Sequence, residues 1–253
     1  MNVMDIIEIE VRTALVRSRI AGVDYVINPY LGCSHGCRYC YATFMRKYSH
    51  YHQHARWGTF VECKANIVEL LRRELSRRRS RGAVMLSSVC DPYQPVERQR
   101  QLTRGCLEAL GEFGWEVEVL TRSPLVARDL DILATMPQVS VGFSIGTDND
   151  KVRSILEPAA PPIQNRVEAL RHLHEAGITT WVFIAPMLPM DTGRLYEMVS
   201  PYVNYVLMDS LNYRGLVREV FIANQWYFAL TDEYAMETGR ALIELFGAQA
   251  RQV

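Results

Sequence analysis

The sequence predicts an α/β fold built on a parallel sheet, and two observations support this prediction. Six short apolar runs rich in β-forming residues alternate with amphipathic stretches along most of the chain. Continuous apolar strands in such an alternation are typical of a parallel sheet that is buried on both faces. The composition agrees, because 49% apolar and 22% charged residues in a chain of 253 are values of a globular protein. Both a doubly wound sheet and a barrel fit this pattern.

The predicted strands and helices follow one another in a regular order. The first strand is expected at residues 25–31, and it leads to a long helix at 66–79. The five later strands, each a short apolar run, are predicted at 84–86, 117–121, 139–145, 179–188 and 203–208. The later helices, each an amphipathic stretch, are predicted at 101–113, 125–136, 152–156, 163–176 and 194–199. Gly177 is a helix stop that is followed directly by the next strand.

This rhythm divides the chain into an N-terminal segment, an α/β body and a C-terminal extension, predicted at 1–24, 25–210 and 211–253. The extension is expected to close one side of a barrel with a final helix at 232–246 and with the aromatic residues Phe221, Trp226, Tyr227 and Phe228. No GxGxxG motif follows the first strand, so the usual mark of a dinucleotide-binding fold is missing. In either architecture, functional residues are expected at the C-terminal ends of the strands.

Charge and cysteine content narrow the class of protein. Lys and Arg together number 28, as do Asp and Glu, and this balance argues against a protein wholly devoted to nucleic acid but permits a local basic patch. The N-terminus does not resemble a signal peptide, and no apolar run is long enough to span a membrane, so we expect a cytoplasmic protein without membrane association. In a reducing compartment, three cysteines within eight residues indicate metal binding or catalysis.

These three residues form a CxxxCxxC motif, and they are Cys33, Cys37 and Cys40. Three thiolates on an irregular loop can hold one iron–sulfur cluster, and Gly32 and Gly36 permit such a loop. Most [4Fe–4S] clusters have four cysteine ligands, so three local ones leave one iron open to a substrate or cofactor. A structural zinc site is the alternative, with the fourth ligand supplied by His35, His50, His52 or His54.

The motif and the strings around it resemble the radical S-adenosylmethionine (SAM) superfamily, and in particular its spore photoproduct lyase-like branch. CxxxCxxC followed by Tyr41, in a loop after the first strand, is similar to the superfamily motif. Asn28-Pro-Tyr-Leu-Gly-Cys33, Asp91-Pro-Tyr-Gln-Pro-Val-Glu97, residues 120–131, and Glu157-Pro158 with Arg166 resemble the branch. The resemblance spans about residues 25–189.

The resemblance implies a fold, two cofactors and a reaction type. The expected fold is a partial (β/α)6 barrel of the TIM type. The expected cofactors are a [4Fe–4S] cluster and SAM, which the reduced cluster cleaves to give methionine and a 5′-deoxyadenosyl radical. That radical then abstracts a hydrogen atom from the substrate. The superfamily also implies an external one-electron donor such as a flavodoxin or ferredoxin.

The site residues implied by the resemblance fall into two groups. Cys33, Cys37 and Cys40 would hold the cluster. The cofactor-binding candidates are Tyr39, Tyr41, Ser88, Cys90, Arg122, Ser144, Arg166 and Ala185. Tyr41 would lie beside the adenine, and Ala185 would lie on the strand that backs it. Arg122 would take the place of a lysine that meets the SAM carboxylate, unless it forms only a surface salt bridge, and Ser144 would contact the ribose or methionine part.

The substrate is less well defined by the sequence. The lyases of this branch repair a thymine dimer in DNA and carry a cysteine, three residues before the aspartate of this strand end, that returns a hydrogen atom to the product radical. That position is Ser88 here, and an alcohol O–H bond is too strong for this role. Cys90 is therefore the candidate catalytic residue, with a packed thiol as the alternative. A basic helix at 72–81 and an aromatic–histidine run at 48–54 are possible nucleic-acid contacts.

Four functions therefore remain open. The first is a radical SAM enzyme that acts on a nucleic acid or nucleotide, and the second is a radical SAM enzyme that modifies a peptide or small metabolite. The third is an iron–sulfur electron carrier, which would need Cys63 or Cys90 as a fourth ligand. The fourth is a zinc-stabilised nucleic-acid-binding module.

Overall fold

A computed structural model describes residues 4–252 and shows one large sheet in which nearly all strands are parallel. Its parallel strands, in chain order, are β3 (Tyr25–Ile27), β6 (Ala83–Leu86), β7 (Glu116–Thr121), β8 (Val139–Ser144), β9 (Thr179–Ile184), β10 (Tyr205–Met208) and β11 (Ala250–Gln252). A short antiparallel strand, β2 (Val16–Arg17), pairs with β3 at one edge. Strands β3 and β6 to β10 are the six strands of a partial (β/α)6 barrel, so the predicted fold class is confirmed.

Helices connect these strands and cover the outside of the sheet. They are α1 (Ile67–Ser76), α2 (Glu97–Arg100), α3 (Leu102–Glu112), α4 (Leu130–Leu133), α5 (Asp150–Leu156), α6 (Ile163–Glu175), α7 (Thr192–Val199), α8 (Arg218–Ala223) and α9 (Asp232–Phe246). Inward-facing strand residues such as Val119, Val141 and Val182 are completely buried, which explains the continuous apolar runs of the sequence. The final helix has the predicted bounds.

A second, smaller sheet was not predicted. It consists of β1 (Asp5–Ile9), β5 (Phe60–Lys64) and β4 (Tyr30–Leu31), with β5 in the centre. The prediction of one continuous strand over 25–31 was wrong, because the chain leaves the large sheet after Ile27 and enters the small one at Tyr30. Asn28 and Pro29 form the break, and Pro29 has no N–H with which to continue a ladder.

Three other predicted elements were too long. The helix predicted at 66–79 spans Ile67–Ser76, so the basic residues after 76 lie beyond it. The strand predicted at 179–188 ends at Ile184. The helix predicted at 125–136 is a 3-10 helix at Pro124–Asp129 that continues into the four-residue α4. Ser123 caps this turn, since its side chain accepts a hydrogen bond from the N–H of Leu125.

The chain after residue 210 contributes to both the sheet and the cover of the cysteine loop. Strand β11 extends the sheet beside β10. Leu211, Val217, Phe221 and Ala229 pack in one apolar cluster with Cys37 and Tyr39. No helix among residues 4–252 is long and apolar enough to span a membrane.

Candidate active site

The predicted site residues gather where the parallel strands end. Residues 87–91 follow β6, Arg122 follows β7, Ser144 ends β8 and Ala185 follows β9. The cysteine motif lies in the loop after β4, at the same end of the sheet. The side chain of Gln94 binds this loop, since its Oε1 accepts the Ser34 N–H and its Nε2 donates to the Gly32 carbonyl. The C-terminal ends of the strands are the usual place for catalytic groups in such barrels.

The loop that carries the three cysteines is tight and irregular. Gly32 has φ +89°, and a Cβ atom there would lie 2.5 Å from the carbonyl oxygen of Phe60. Gly36 has φ +59°, which also favours glycine. All three cysteines are free, and Cys33 and Cys37 are buried. The loop therefore buries Cys33 and Cys37 in two neighbouring apolar clusters, with the half-buried Cys40 packed against both, and none of the three forms a disulfide.

The chemistry of these thiols fits an iron–sulfur cluster. Burial raises the pKa of Cys33 well above its usual range and that of Cys37 to about 12, although the positive charge of Arg122 partly opposes the shift at Cys37. Metal binding to cysteine displaces the thiol proton, so a positively charged metal group supplies the compensation that these buried sulfurs lack as thiolates. An all-sulfur donor set of three cysteines suits a cluster.

Two of the four histidines proposed as zinc ligands, His35 and His52, have other partners, whereas His50 and His54 are exposed. His35 Nδ1 lies 3.4 Å from the Ala159 oxygen, and its Nε2 lies 3.2 Å from Asp91 Oδ2 without the alignment of a hydrogen bond. His52 is bound between Glu62, at 2.7 Å from Nδ1, and Asp5, at 3.0 Å from Nε2. Within residues 4–252, no three His, Cys, Asp or Glu side chains, the three motif cysteines included, are arranged to hold a single metal ion, so the assignment of a cluster rests on the motif and on the chemistry of its thiols.

Asp91 connects the cysteine loop to the ends of two strands. Its Oδ1 accepts hydrogen bonds from the Tyr93 N–H and the Thr121 hydroxyl, at 2.9 and 2.6 Å. Its Oδ2 accepts the Arg122 N–H at 2.7 Å and faces His35. Burial alone would raise the pKa of Asp91, but His35 and these donors hold it at about 2. The sequence analysis gave Asp91 no role, although it opens the string 91–97.

Glu157 is the centre of the second buried network. Its Oε1 accepts hydrogen bonds from the Tyr39 hydroxyl and from Arg122 Nε, the latter at 3.2 Å, and its Oε2 accepts one from Arg166. Arg122 Nη2 also lies 3.2 Å from the Tyr39 hydroxyl oxygen. Burial opposes ionisation, but Arg166 and Arg122 lower the pKa of Glu157 to about 2. Glu157 is therefore an anion that fixes Tyr39 and both arginines.

The two arginines differ in whether an N–H donor remains available for a ligand. Arg166 is 1% exposed, and its three nitrogens donate to Glu157, to the Ser144 carbonyl and to the Pro161 carbonyl. Arg122 is 20% exposed at its side chain, and its Nη1 forms no hydrogen bond within residues 4–252. The structure thus brings together Tyr39, Arg122, Ser144 and Arg166, and Arg122 is the one that keeps a donor for a ligand carboxylate.

Tyr41, Ser88 and Cys90 lie around the end of β6. The Tyr41 hydroxyl donates to the carbonyl of Ser88, whose N–H donates to Asn28 Oδ1 at 3.0 Å. Cys90 Sγ lies 3.1 Å from Ser87 Oγ and donates to the Tyr30 carbonyl at 3.4 Å. Burial raises the pKa of Cys90 to about 11, so the thiol keeps its proton at neutral pH.

Two other sequence features lie outside the cysteine loop and the Glu157 network. Cys63 packs with Tyr30 and Val61 in a core cluster that Cys90 also contacts but that does not include the motif cysteines. The basic run at 72–81 lies at the start of the strands, on the face opposite the site. There Arg72 pairs with Glu112, and Arg78 lies over the ring of Tyr25 at 4.8 Å.

The residues that the sequence analysis missed act through distant contacts. Glu157 lies 118 residues from Tyr39 and 35 from Arg122, and it had no predicted role beyond its place in the string with Pro158 and Arg166. Asn28 clamps the turn after β6 by accepting from the N–H groups of Ser88 and Val89. The only signal for either residue was its place in a string shared with the photoproduct lyase-like branch.

The chain is similar to known proteins from an archaeon and from a bacteriophage. The chain is 33% identical over 214 residues to an uncharacterised protein of Methanocaldococcus jannaschii, covering 84% of this chain and 80% of that protein. It is 29% identical over 183 residues to the radical SAM Nα-GlyT isomerase of Pseudomonas phage M6, covering 70% of this chain and 37% of the isomerase.

The fold of the chain is also similar to that of a solved structure, and its sequence matches a family model. The fold is similar to that of a spore photoproduct lyase variant with bound S-adenosylmethionine and dinucleoside spore photoproduct, with a TM-score of 0.65 and 15% identity over 97% of this chain and 80% of the lyase. Residues 27–199 match the model of the radical SAM superfamily. The chain belongs to the radical SAM superfamily and is an enzyme of that class.

Proposed function

We propose that this radical SAM enzyme abstracts a hydrogen atom from a nucleic acid or nucleotide. When bound, the [4Fe–4S] cluster and SAM supply the reductive cleavage that generates the 5′-deoxyadenosyl radical. The observation that carries the substrate class is an open aromatic and cationic surface beside Cys40. It consists of Tyr41, Tyr213, Arg214 and Arg218, and we call it the Tyr213 surface.

The aromatic part of the Tyr213 surface suits a base. Tyr213 stacks on Tyr41 with ring centroids 6.3 Å apart and an angle of 19° between the planes. Tyr213 is 54% exposed, so the ring face directed away from Tyr41 is free for a further stacked group. Stacking on an aromatic side chain is worth about 1–3 kcal/mol per base in single-stranded nucleic-acid complexes.

The cationic part suits a phosphate. A cleft of about 350 Å³ is lined by Arg214, Gly215, Arg218, Ile222, Tyr227 and Leu230. Arg214 donates to Asp232 and to the Leu211 carbonyl, whereas Arg218 has no ion pair with residues 4–252. A guanidinium next to an aromatic ring and two apolar side chains matches the phosphate, sugar and base of a nucleotide.

The following residues of the chain would bind the two cofactors and orient the groups around them. Cys33, Cys37 and Cys40 hold the cluster, and the free Nη1 of Arg122 meets the SAM carboxylate. Glu157, itself fixed by Arg166, orients Arg122 and Tyr39. The packed segment from Leu211 to Ala229 excludes water from the Cys37 side of the site. An external one-electron donor such as a flavodoxin or ferredoxin supplies the electron.

One of the similar proteins supports the substrate class, because the solved lyase holds a dinucleoside photoproduct. The phage protein is named as a radical SAM isomerase, which supports the reaction type but not the substrate. A peptide or small metabolite is the second candidate, and the balanced charge of the chain favours it.

The test is hydrogen transfer from labelled substrate. With iron, sulfide, SAM and dithionite under anaerobic conditions, a deuterated thymidine oligonucleotide is expected to transfer deuterium into 5′-deoxyadenosine, measured by mass spectrometry. Arg218→Ala is expected to raise the KM for the oligonucleotide about tenfold, since a phosphate contact is lost, while 5′-deoxyadenosine formation without substrate stays unchanged.

Arg79→Ala is the matched control, because Arg79 is equally exposed but lies in the basic run on the opposite face. It is expected to leave the KM unchanged. Transfer of deuterium from a labelled peptide but from no oligonucleotide would overturn the proposed substrate class. A rise in KM in Arg79→Ala alone would place the nucleic acid on the opposite face.

We also propose that Cys90 gives the hydrogen atom of its S–H bond to the product radical, which leaves a thiyl radical that one electron from the external donor and a proton convert back to the thiol. Its protonated, buried thiol has the weak S–H bond that this role needs, and Ser88 does not. Cys90→Ala is expected to form 5′-deoxyadenosine at near the wild-type rate but to lower the yield of finished product about tenfold or more. The readout is the ratio of product to 5′-deoxyadenosine. Cys106→Ala, which removes a completely buried thiol of α3 in the main core, is the control, and an unchanged ratio in Cys90→Ala would exclude this role.

A further inference from the structure

Trp57 has a buried indole N–H that lacks a hydrogen-bond partner. The residue is 8% exposed and packs in an apolar cluster with Leu31, Cys33 and Phe60, against which Cys40 also lies. Burial raises the pKa of the Cys40 thiol and the nearby Trp57 indole N–H lowers it, but no acceptor among residues 4–252 completes a hydrogen bond with that N–H. A buried donor without an acceptor destabilises the fold, so such groups are rare and need an explanation.

The packing around Trp57 fixes the direction of this N–H. Its ring meets Phe60 edge to face, with centroids 5.9 Å apart. Phe60 in turn stacks on His52 at 4.5 Å, and His52 is bound between Glu62 and Asp5. His52, the buried member of the aromatic–histidine run at 48–54, therefore supports the ring of Trp57 through Phe60.

We propose that, in the cluster-bound enzyme, Trp57 Nε1–H donates a hydrogen bond to the Cys40 thiolate and so raises the reduction potential of the cluster. This inference rests on the proposed function, because it needs Cys40 as a cluster ligand. A thiolate is a stronger acceptor than a thiol, and a donor at a ligand sulfur stabilises the more negative, reduced state. Trp57 is thus a positioning and tuning residue that makes the cluster easier for an external donor to reduce.

The test is a redox titration of the reconstituted enzyme followed by electron paramagnetic resonance. Trp57→Phe is expected to move the midpoint potential of the cluster to a more negative value, with the iron content unchanged. Trp181→Phe is the matched control, because Trp181 is also buried and also has an unpartnered indole N–H, but lies in β9 against Gly142 and Tyr205. Its midpoint potential is expected to equal that of the wild type.

A second measurement uses the wild-type chain and does not depend on how a variant folds. The enzyme is prepared with indole-¹⁵N tryptophan, and the reduced cluster is examined by electron–nuclear double resonance. A ¹⁵N coupling that disappears in Trp57→Phe but persists in Trp181→Phe is expected. A loaded wild-type cluster without any ¹⁵N coupling, or an unchanged midpoint potential in Trp57→Phe, would overturn the inference alone. Failure of the wild type to load about four irons would overturn the proposed function with it.

Discussion

Replacing Cys37 with alanine is expected to abolish the cleavage of SAM while leaving the barrel folded. A [4Fe–4S] cluster with one open iron needs all three cysteines of the loop, so iron content should fall from about four per chain to near zero. The cost in fold stability should be only about 1 kcal/mol, because the change removes one sulfur atom from a small apolar cluster. Iron analysis, chromatography of 5′-deoxyadenosine and circular dichroism measure the three quantities.

Cys106→Ala is the matched control for this experiment. Cys106 is completely buried in α3 and packs in the main core, so the substitution removes the same sulfur atom from a buried position. It is expected to keep four irons and to cleave SAM at the wild-type rate. If Cys37→Ala keeps both its iron and its SAM cleavage, the assignment of the three cluster ligands is wrong.

The parts of the protein that were predictable from sequence depend on short-range patterns. Cys33, Cys37 and Cys40 are close because eight residues contain them, and the glycines at 32 and 36 show that the loop can bend. The parallel strands were predictable from short apolar runs, because such strands are buried on both faces. Each of these features depends on a few consecutive residues, so its prediction required no knowledge of distant contacts.

The parts that were not predictable depend on pairings across the chain. Strand β5 is apolar and short, and nothing in residues 60–64 shows that β1 and β4 flank it. Trp57 and Glu157 gain their importance from Cys40 and Arg122, which lie far from them or in loops of no regular pattern. The C-terminal extension likewise could be located but not placed, and its contact with Tyr41 became visible only in the folded chain.

Replacing Glu157 with glutamine is expected to destabilise the fold strongly at neutral pH and only weakly in acid. Arg166 is 1% exposed, and removal of the partner of a buried charge costs about 3–5 kcal/mol. The pKa of Glu157 is about 2 in the fold against an ordinary 4.5. Its stabilising effect is therefore complete above pH 4.5 and is lost as the pH falls through 2, an effect of about 3 kcal/mol.

The difference in unfolding free energy between wild type and Glu157→Gln should accordingly be largest above pH 5 and shrink towards pH 2. Urea unfolding of both chains in the iron-free state gives this difference, since acid would otherwise release iron. Glu168→Gln is the control, because Glu168 pairs with Arg171 on the exposed face of α6 and should change stability little at any pH.

The same Glu157→Gln chain, loaded with iron at neutral pH, should bind SAM more weakly, as Arg122 loses the acceptor of its Nε–H. A pH-independent difference in unfolding free energy would show that the side chain acts by packing alone, and then Arg122 would owe its position to Tyr39 rather than to an ionised Glu157.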